Sequence, residues 1–125
     1  MFNKNYTHDL KFGEMKEKEL ADILVNQEIE VKTDKWFCKT GNVAVEYESR
    51  GKPSGISITK AKYWVFILVD TDLKIESMIF VPTSRLKKIA RRYLKTDRDI
   101  TGGDLDEKGI PTSRMILIPA VRLVI

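Results

Sequence analysis

The period of apolar and polar positions changes several times along the chain, and each change predicts an element. Phe12, Met15, Leu20, Ile23 and Leu24 fall within one half of a helical circumference at ~100° per residue, which predicts a helix over Phe12 to Leu24. Gly13 sits near its start, and Val25-Asn26-Gln27 ends it. Alternation then predicts two strands, Glu28 to Thr33 and Asn42 to Glu48, joined by a loop around Lys39-Thr40-Gly41. Ser49 to Gly55 carries two glycines and a proline and is irregular. Thr59-Lys60-Ala61-Lys62 reads as a short turn or helix feeding the apolar strand Tyr63 to Val69. Asp70-Thr71-Asp72 turns the chain, and Ile75 to Val81 returns antiparallel.

Pro82-Thr83-Ser84 opens the clearest helix, with Thr83 or Ser84 as N-cap and Leu86, Ile89, Ala90, Tyr93 and Leu94 along one stripe. Thr96 to Ser113 reads as a polar loop, and Met115 to Ile118 with Val121 to Ile125 as terminal strand material. The order of elements predicts the α/β class, a central mixed β-sheet flanked by helices. No repeat or linker interrupts it, so residues 1–125 are expected to form a single domain.

Composition narrows the chemistry. With one cysteine, Cys38, the chain has no internal disulfide, and with one histidine, His8, it lacks the ligands of the common Cys/His zinc sites. A metal here would be a hard, oxygen-liking ion, Mg2+ or Mn2+. The net charge of +4 permits a polyanionic partner without demanding one. The longest apolar run, Tyr63 to Val69, is far below the ~20 residues of a spanning helix, and the first residues have no signal-peptide core. A soluble, intracellular protein without a membrane partner is therefore expected.

The densest candidate chemistry lies between Glu28 and Glu48. On a strand rising roughly 3.3 Å per residue, Glu30 and Lys32 point the same way about 7 Å apart, with Ile29 and Val31 facing the other layer. Glu46 and Glu48 likewise share a face, and an antiparallel hairpin could bring that face to Glu30 and Lys32. Carboxylates and an amine so gathered can hold a divalent ion and a water nucleophile beside a phosphate. Taken alone, alternating charge on a strand is more often a solvated face with weak cross-strand ion pairs.

The blocks Glu30-Val31-Lys32-Thr33-Asp34, Lys39-Thr40-Gly41-Asn42 with Val45-Glu46-Tyr47, Arg50 to Ile56, and Ala61-Lys62-Tyr63-Trp64, taken in this order, resemble the small PD-(D/E)XK nuclease-like proteins of phages and prophages. The resemblance spans about Phe12 to Val69. It implies a restriction-endonuclease-like core, an acid on the first helix, an Asp on one strand and Glu-x-Lys on its neighbour. It also implies one or two Mg2+ or Mn2+ ions, cleavage of DNA by phosphodiester hydrolysis, and the cytoplasm of a bacterium or phage-infected cell. Glu30 matches the motif carboxylate and Lys32 the motif lysine. Cutting both strands of a duplex would take two such sites, which a homodimer would supply.

The upstream Asp has no clean match. Either Asp22 serves, which requires the first helix to stop near Leu20, or Glu30 takes that role and Glu46-Tyr47-Glu48 supplies a Glu-x-Glu variant. For the helix acid, Glu17 lies on the rim of the apolar stripe and is preferred; Glu19, inside the stripe, is the alternative. The expected metal ligands are thus drawn from Glu30, Glu46, Glu48, Glu17 and Asp22, with Glu30, Lys32, Glu46 and Glu17 as the catalytic groups.

Cations suggest where a phosphate backbone would run. Arg85, Lys87, Lys88, Arg91, Arg92 and Lys95 surround the apolar stripe of the second helix with no acid among them, and their mutual repulsion is easiest to understand beside phosphates. Arg50, Lys52, Lys60 and Lys62 flank the glycine-rich loop and could grip phosphates nearer the metal. Trp36 and Phe37, placed on the hairpin loop, mark a binding surface, whereas Tyr63 and Trp64 open a core strand. Asp97 to Glu107 lacks the spacing of a calcium loop and reads as a mobile surface segment. The expected function is metal-dependent DNA cleavage; the alternative is a catalytically inactive nucleic-acid-binding protein of the same fold.

Overall fold

In the computed structural model, which describes residues 4–26 and 28–125, the chain begins with a helix over Lys4–Val25 (α1). It extends upstream of the expected start because no proline or helix-ending glycine interrupts that stretch. Of its described side chains Ile23 is buried, while Phe12, Met15, Leu20 and Leu24 are exposed. Gln27, expected to close this helix, lies outside the described residues.

Two sheets follow instead of one. Ile29–Asp34 (β1) pairs in parallel with Tyr63–Val69 (β4), whose other edge takes Ile75–Pro82 (β5) antiparallel. Asn42–Ser49 (β2), Lys52–Pro53 (β3), Asp99–Leu105 (β6) and Pro111–Pro119 (β7) form an antiparallel sheet in the order β3-β2-β7-β6. The fold is α/β, with one mixed and one antiparallel sheet. The expected β1–β2 hairpin does not form, because Phe37–Thr40 forms a short helix (α2) between them and sends β2 to β7.

Local chemistry explains the detour. The Asp34 carboxylate accepts the backbone N–H groups of Trp36 and Phe37 at 2.9 Å each, satisfying donors that a helix start leaves open. At the other end Gly41, at φ 72°, donates its N–H to the Phe37 carbonyl. Asp34 also reaches the Ala44 N–H at 3.4 Å, tying β1 to the second sheet.

The core lies between the sheets. Trp64, Phe66 and Leu68 from β4 meet Val43 and Val45 from β2 and Ile116 and Ile118 from β7. Thr83–Arg92 (α3) adds Leu86, Ile89 and Ala90 and packs against β4, β5 and β7. A 3-10 turn at Ala120–Leu123 adds Ala120 and Leu123. The expected polar loop over Thr96 to Ser113 contains β6 and a turn in which Asp106 accepts the N–H groups of Lys108 and Ile110. Asp97 to Glu107, expected to be a surface loop, is thus in good part a paired strand.

Backbone geometry at two glycines gives a direct check. Gly55, at φ 52°, lies so close to β2 that a side-chain carbon would overlap the Glu46 carbonyl oxygen, whereas Gly51, at φ 79°, faces open space. Gly55→Ala should cost about 3 kcal/mol from combined left-handed strain and overlap, and Gly51→Ala about 1 kcal/mol from strain alone, measured by urea denaturation.

Candidate functional site

Register places Glu30 beside Trp64 and Lys32 beside Phe66, so both charged side chains lie on the inter-sheet face at the edge of the mixed sheet. They face the same way, as the strand period demands. The Lys32 ammonium lies 3.8 Å from Glu30 Oε1 and 5.7 Å from the Trp64 ring centroid. Roughly half of each side chain remains in solvent, 49% for Lys32 and 41% for Glu30. An ion pair at this distance and exposure contributes little to stability.

The other acids expected here lie elsewhere. Glu46 and Glu48 belong to the antiparallel sheet, where Val43 and Val45 take the buried face and Ala44 and Glu46 the opposite one. Glu46 Oε2 accepts the Ser54 hydroxyl at 3.0 Å. Glu17 and Asp22 are exposed on α1, and Asp22 is helical, so no strand forms there to present it. Glu19, the alternative helix acid, takes the Lys16 ammonium at 3.1 Å. Among the described residues no group of three or more His, Cys, Asp or Glu could hold a metal ion. The donors do not fit the Mg2+ or Mn2+ site that the resemblance implies, because the strand carrying Glu30 and the strand carrying Glu46 and Glu48 enter different sheets.

A polar cluster that the sequence pattern did not indicate joins β2, β6 and β7. Tyr47 Oη donates to Asp99 Oδ1 at 2.6 Å, Arg114 Nε donates to Tyr47 Oη at 2.7 Å, and Arg114 Nη2 reaches Asp99 Oδ1 at 2.9 Å. The Lys95 N–H completes the set on Asp99 Oδ2 at 3.0 Å. The Asp99 side chain is 6% exposed. Burial alone would raise its carboxyl pKa, but the hydrogen bonds from Tyr47, Lys95 and Arg114 outweigh it and hold the group below its ordinary value. Burial, and then the Asp99 hydrogen bond, push the Tyr47 phenol above its ordinary value. No spacing rule could have found this cluster, since its members come from three strands paired across long sequence separations. The cluster ties three strands together around one buried, fully bonded acid.

The cations sort into used and free. Arg85 donates to the carbonyls of Leu123 at 2.6 Å, Arg122 at 3.2 Å and Ile125 at 2.7 Å, so it anchors the chain end to α3. Lys62 pairs with Glu28 at 3.1 Å. Arg50 sits at φ 52° in the β2–β3 turn and shares a hollow with Asp106 and Glu107, and Lys52 is exposed on β3 nearby. Lys60 is exposed in the loop before β4, whose Ala61 and Lys62 carbonyls accept the hydroxyl and N–H of Thr83 at the start of α3.

Lys87, Lys88, Arg91 and Arg92 are different: none forms an ion pair among the described residues, and α3 contains no acid. Lys88 and Arg92, with Arg122, line a cavity of about 370 Å³ on one side of α3. Lys87 and Arg91 line another of about 270 Å³ on the other, against Tyr47 and Ile56. No family model, curated protein or solved structure matches this chain. No helix among the described residues is long and apolar enough to cross a membrane.

The Asp99 cluster carries a definite sign with pH. A carboxyl whose folded pKa lies below its unfolded value stabilises the fold fully above the unfolded value, ~3.9, and loses that contribution as pH falls through the folded value. Asp99→Asn should therefore cost about 2 kcal/mol at pH 7 in urea unfolding, with the gap to wild type narrowing below about pH 4.

Proposed function

We propose that this chain binds nucleic acid without cutting it, through the outer face of α3. The observation that carries this reading is the row Lys87, Lys88, Arg91 and Arg92, four cations with no acid on their helix and no ion pair among the described residues. Keeping like charges side by side is costly in isolation, and a phosphate backbone relieves that cost while releasing counterions. Leu86, Ile89 and Ala90 fix the buried side of the helix, so the cations are presented on a rigid support. Arg85 contributes by position, since its guanidinium is spent on backbone carbonyls. Arg122 beside Lys88 and Arg92 extends the cationic surface past the helix.

This reading keeps DNA, the partner that the PD-(D/E)XK resemblance implies, and does not need a restriction-endonuclease-like core. Metal-dependent hydrolysis is the second reading, favoured by one observation, the shared face of Glu30 and Lys32. It lacks its further carboxylates, because Glu46, Glu48, Glu17 and Asp22 do not join that pair.

Binding should fall about a hundredfold between ~50 and ~200 mM salt if about four phosphates are contacted, read by fluorescence anisotropy of a labelled duplex. Lys88→Ala and Arg92→Ala should each weaken binding on every sequence tried and lower the salt slope by about one. Glu30→Gln should leave affinity unchanged, and wild type with manganese should leave the duplex uncut; manganese-dependent nicking that Glu30→Gln removes would reinstate the hydrolytic reading.

A further inference from the structure

Where β1 runs into α2, a cavity of about 580 Å³ opens at the edge of the inter-sheet core, within the ~300–1,000 Å³ range of small-ligand sites. Phe66, Val69 and Leu73 give it an apolar lining, and Lys32, Lys35 and Trp36 complete its wall. Trp36 is 59% exposed, a large indole held in solvent at the first turn of a short helix. The ammonium groups of Lys35 and Lys39 lie 5.8 and 5.5 Å from its ring centroid. Trp36 also lines a smaller hollow of about 220 Å³ with Lys35, Lys39, Leu73 and Asp70, whose carboxylate accepts the N–H groups of Asp72 and Lys74.

The acid in this wall is already engaged. Asp34 accepts from the backbone of Trp36, Phe37 and Ala44, so its carboxylate is fixed and turned to the chain. Lys32 is shared with Glu30 at 3.8 Å, a loose contact that leaves its ammonium free to reach an anion. The cavity thus combines an apolar lining, an exposed aromatic face and two ammonium groups. A planar, π-faced group bearing negative charge satisfies all of these at once: its ring stacks on the indole and its anion meets the ammonium groups.

We infer that Trp36, with Lys32 and Lys35, forms a site for an unpaired nucleotide, base on the indole and phosphate on the lysines. The nucleotide comes either from a single strand or from the free pool; the first case rests on the nucleic-acid reading above, the second does not. A base inside a duplex is stacked and paired and cannot enter.

Trp64 is 1% exposed, so Trp36 is the tryptophan that ligands can reach, and intrinsic fluorescence reports on this site. The full chain is titrated with thymidine monophosphate, with a thymidine dodecamer and with a blunt duplex at one salt concentration. Quenching by the monophosphate identifies the free nucleotide as ligand; quenching by the dodecamer alone identifies the strand. In either case, by isothermal titration calorimetry, which does not need the reporting indole, Trp36→Ala should weaken that ligand about tenfold to a hundredfold, Trp36→Phe should restore most of the loss, and duplex affinity should not change. Quenching by neither ligand, equal quenching by duplex, or undiminished affinity of Trp36→Ala overturns the inference. Loss of duplex binding in wild type overturns the α3 reading instead, and leaves a quenching monophosphate as support for the Trp36 site.

Discussion

The structure depends on the parallel pairing of β1 with β4. Parallel neighbours cannot be joined by a tight turn, so the chain leaving Asp34 has to travel back before it can lay down Tyr63 to Val69. It does so through α2, β2 and β3, and β2 becomes a founding strand of the second sheet. Trp64, Phe66 and Leu68 then close on Val43, Val45, Ile116 and Ile118, and the inter-sheet core follows from that single return path. The same path separates Glu30 and Lys32 from Glu46 and Glu48.

Segments whose local pattern is self-sufficient were legible from residues alone. Tyr63 to Val69 is apolar on both faces, reads as an unbroken run and is a strand over those same residues. The apolar stripe of Leu86, Ile89 and Ala90 marks α3, which starts one residue earlier than a Thr83 cap and two earlier than a Ser84 cap would place it. Pairing was not legible, since alternation says nothing about which neighbour a strand takes. Asp34 lies just past the strand that alternation predicts and figures only as the end of the Glu30 to Asp34 block, whereas in the structure it closes β1 and receives the N–H groups of Trp36 and Phe37 at the start of α2.

The region called a polar loop hides β6 for a packing reason. A side-chain carbon at Gly102 would meet the Met115 side chain at 2.9 Å, and one at Gly103 would meet Ser113. Glycines there let the neighbouring strand's side chains cross β6, so a strand is written in residues that usually signal a turn. In the sequence Asp99 is one of many loop acids and Tyr47 the middle of a Glu-x-Glu string. Their joint part in a buried cluster needed the β2–β7–β6 order, which no local pattern carries. The basic character of α3 was legible, but not that Arg85 is consumed at the chain end while Lys87, Lys88, Arg91 and Arg92 form no ion pair among the described residues.

The order β1-β4-β5 leaves β1 as an open margin of its sheet, with a row of backbone groups that another polypeptide could annex. Glu30 and Lys32 stand at that margin on the side turned toward the second sheet. An incoming strand would have to strip water from both charges to dock, a penalty that discourages fibrous stacking of one molecule on the next. Two residues spaced like a hydrolytic signature thus set a charge of each sign at an unpaired strand, the pattern by which sheet edges resist edge-to-edge association.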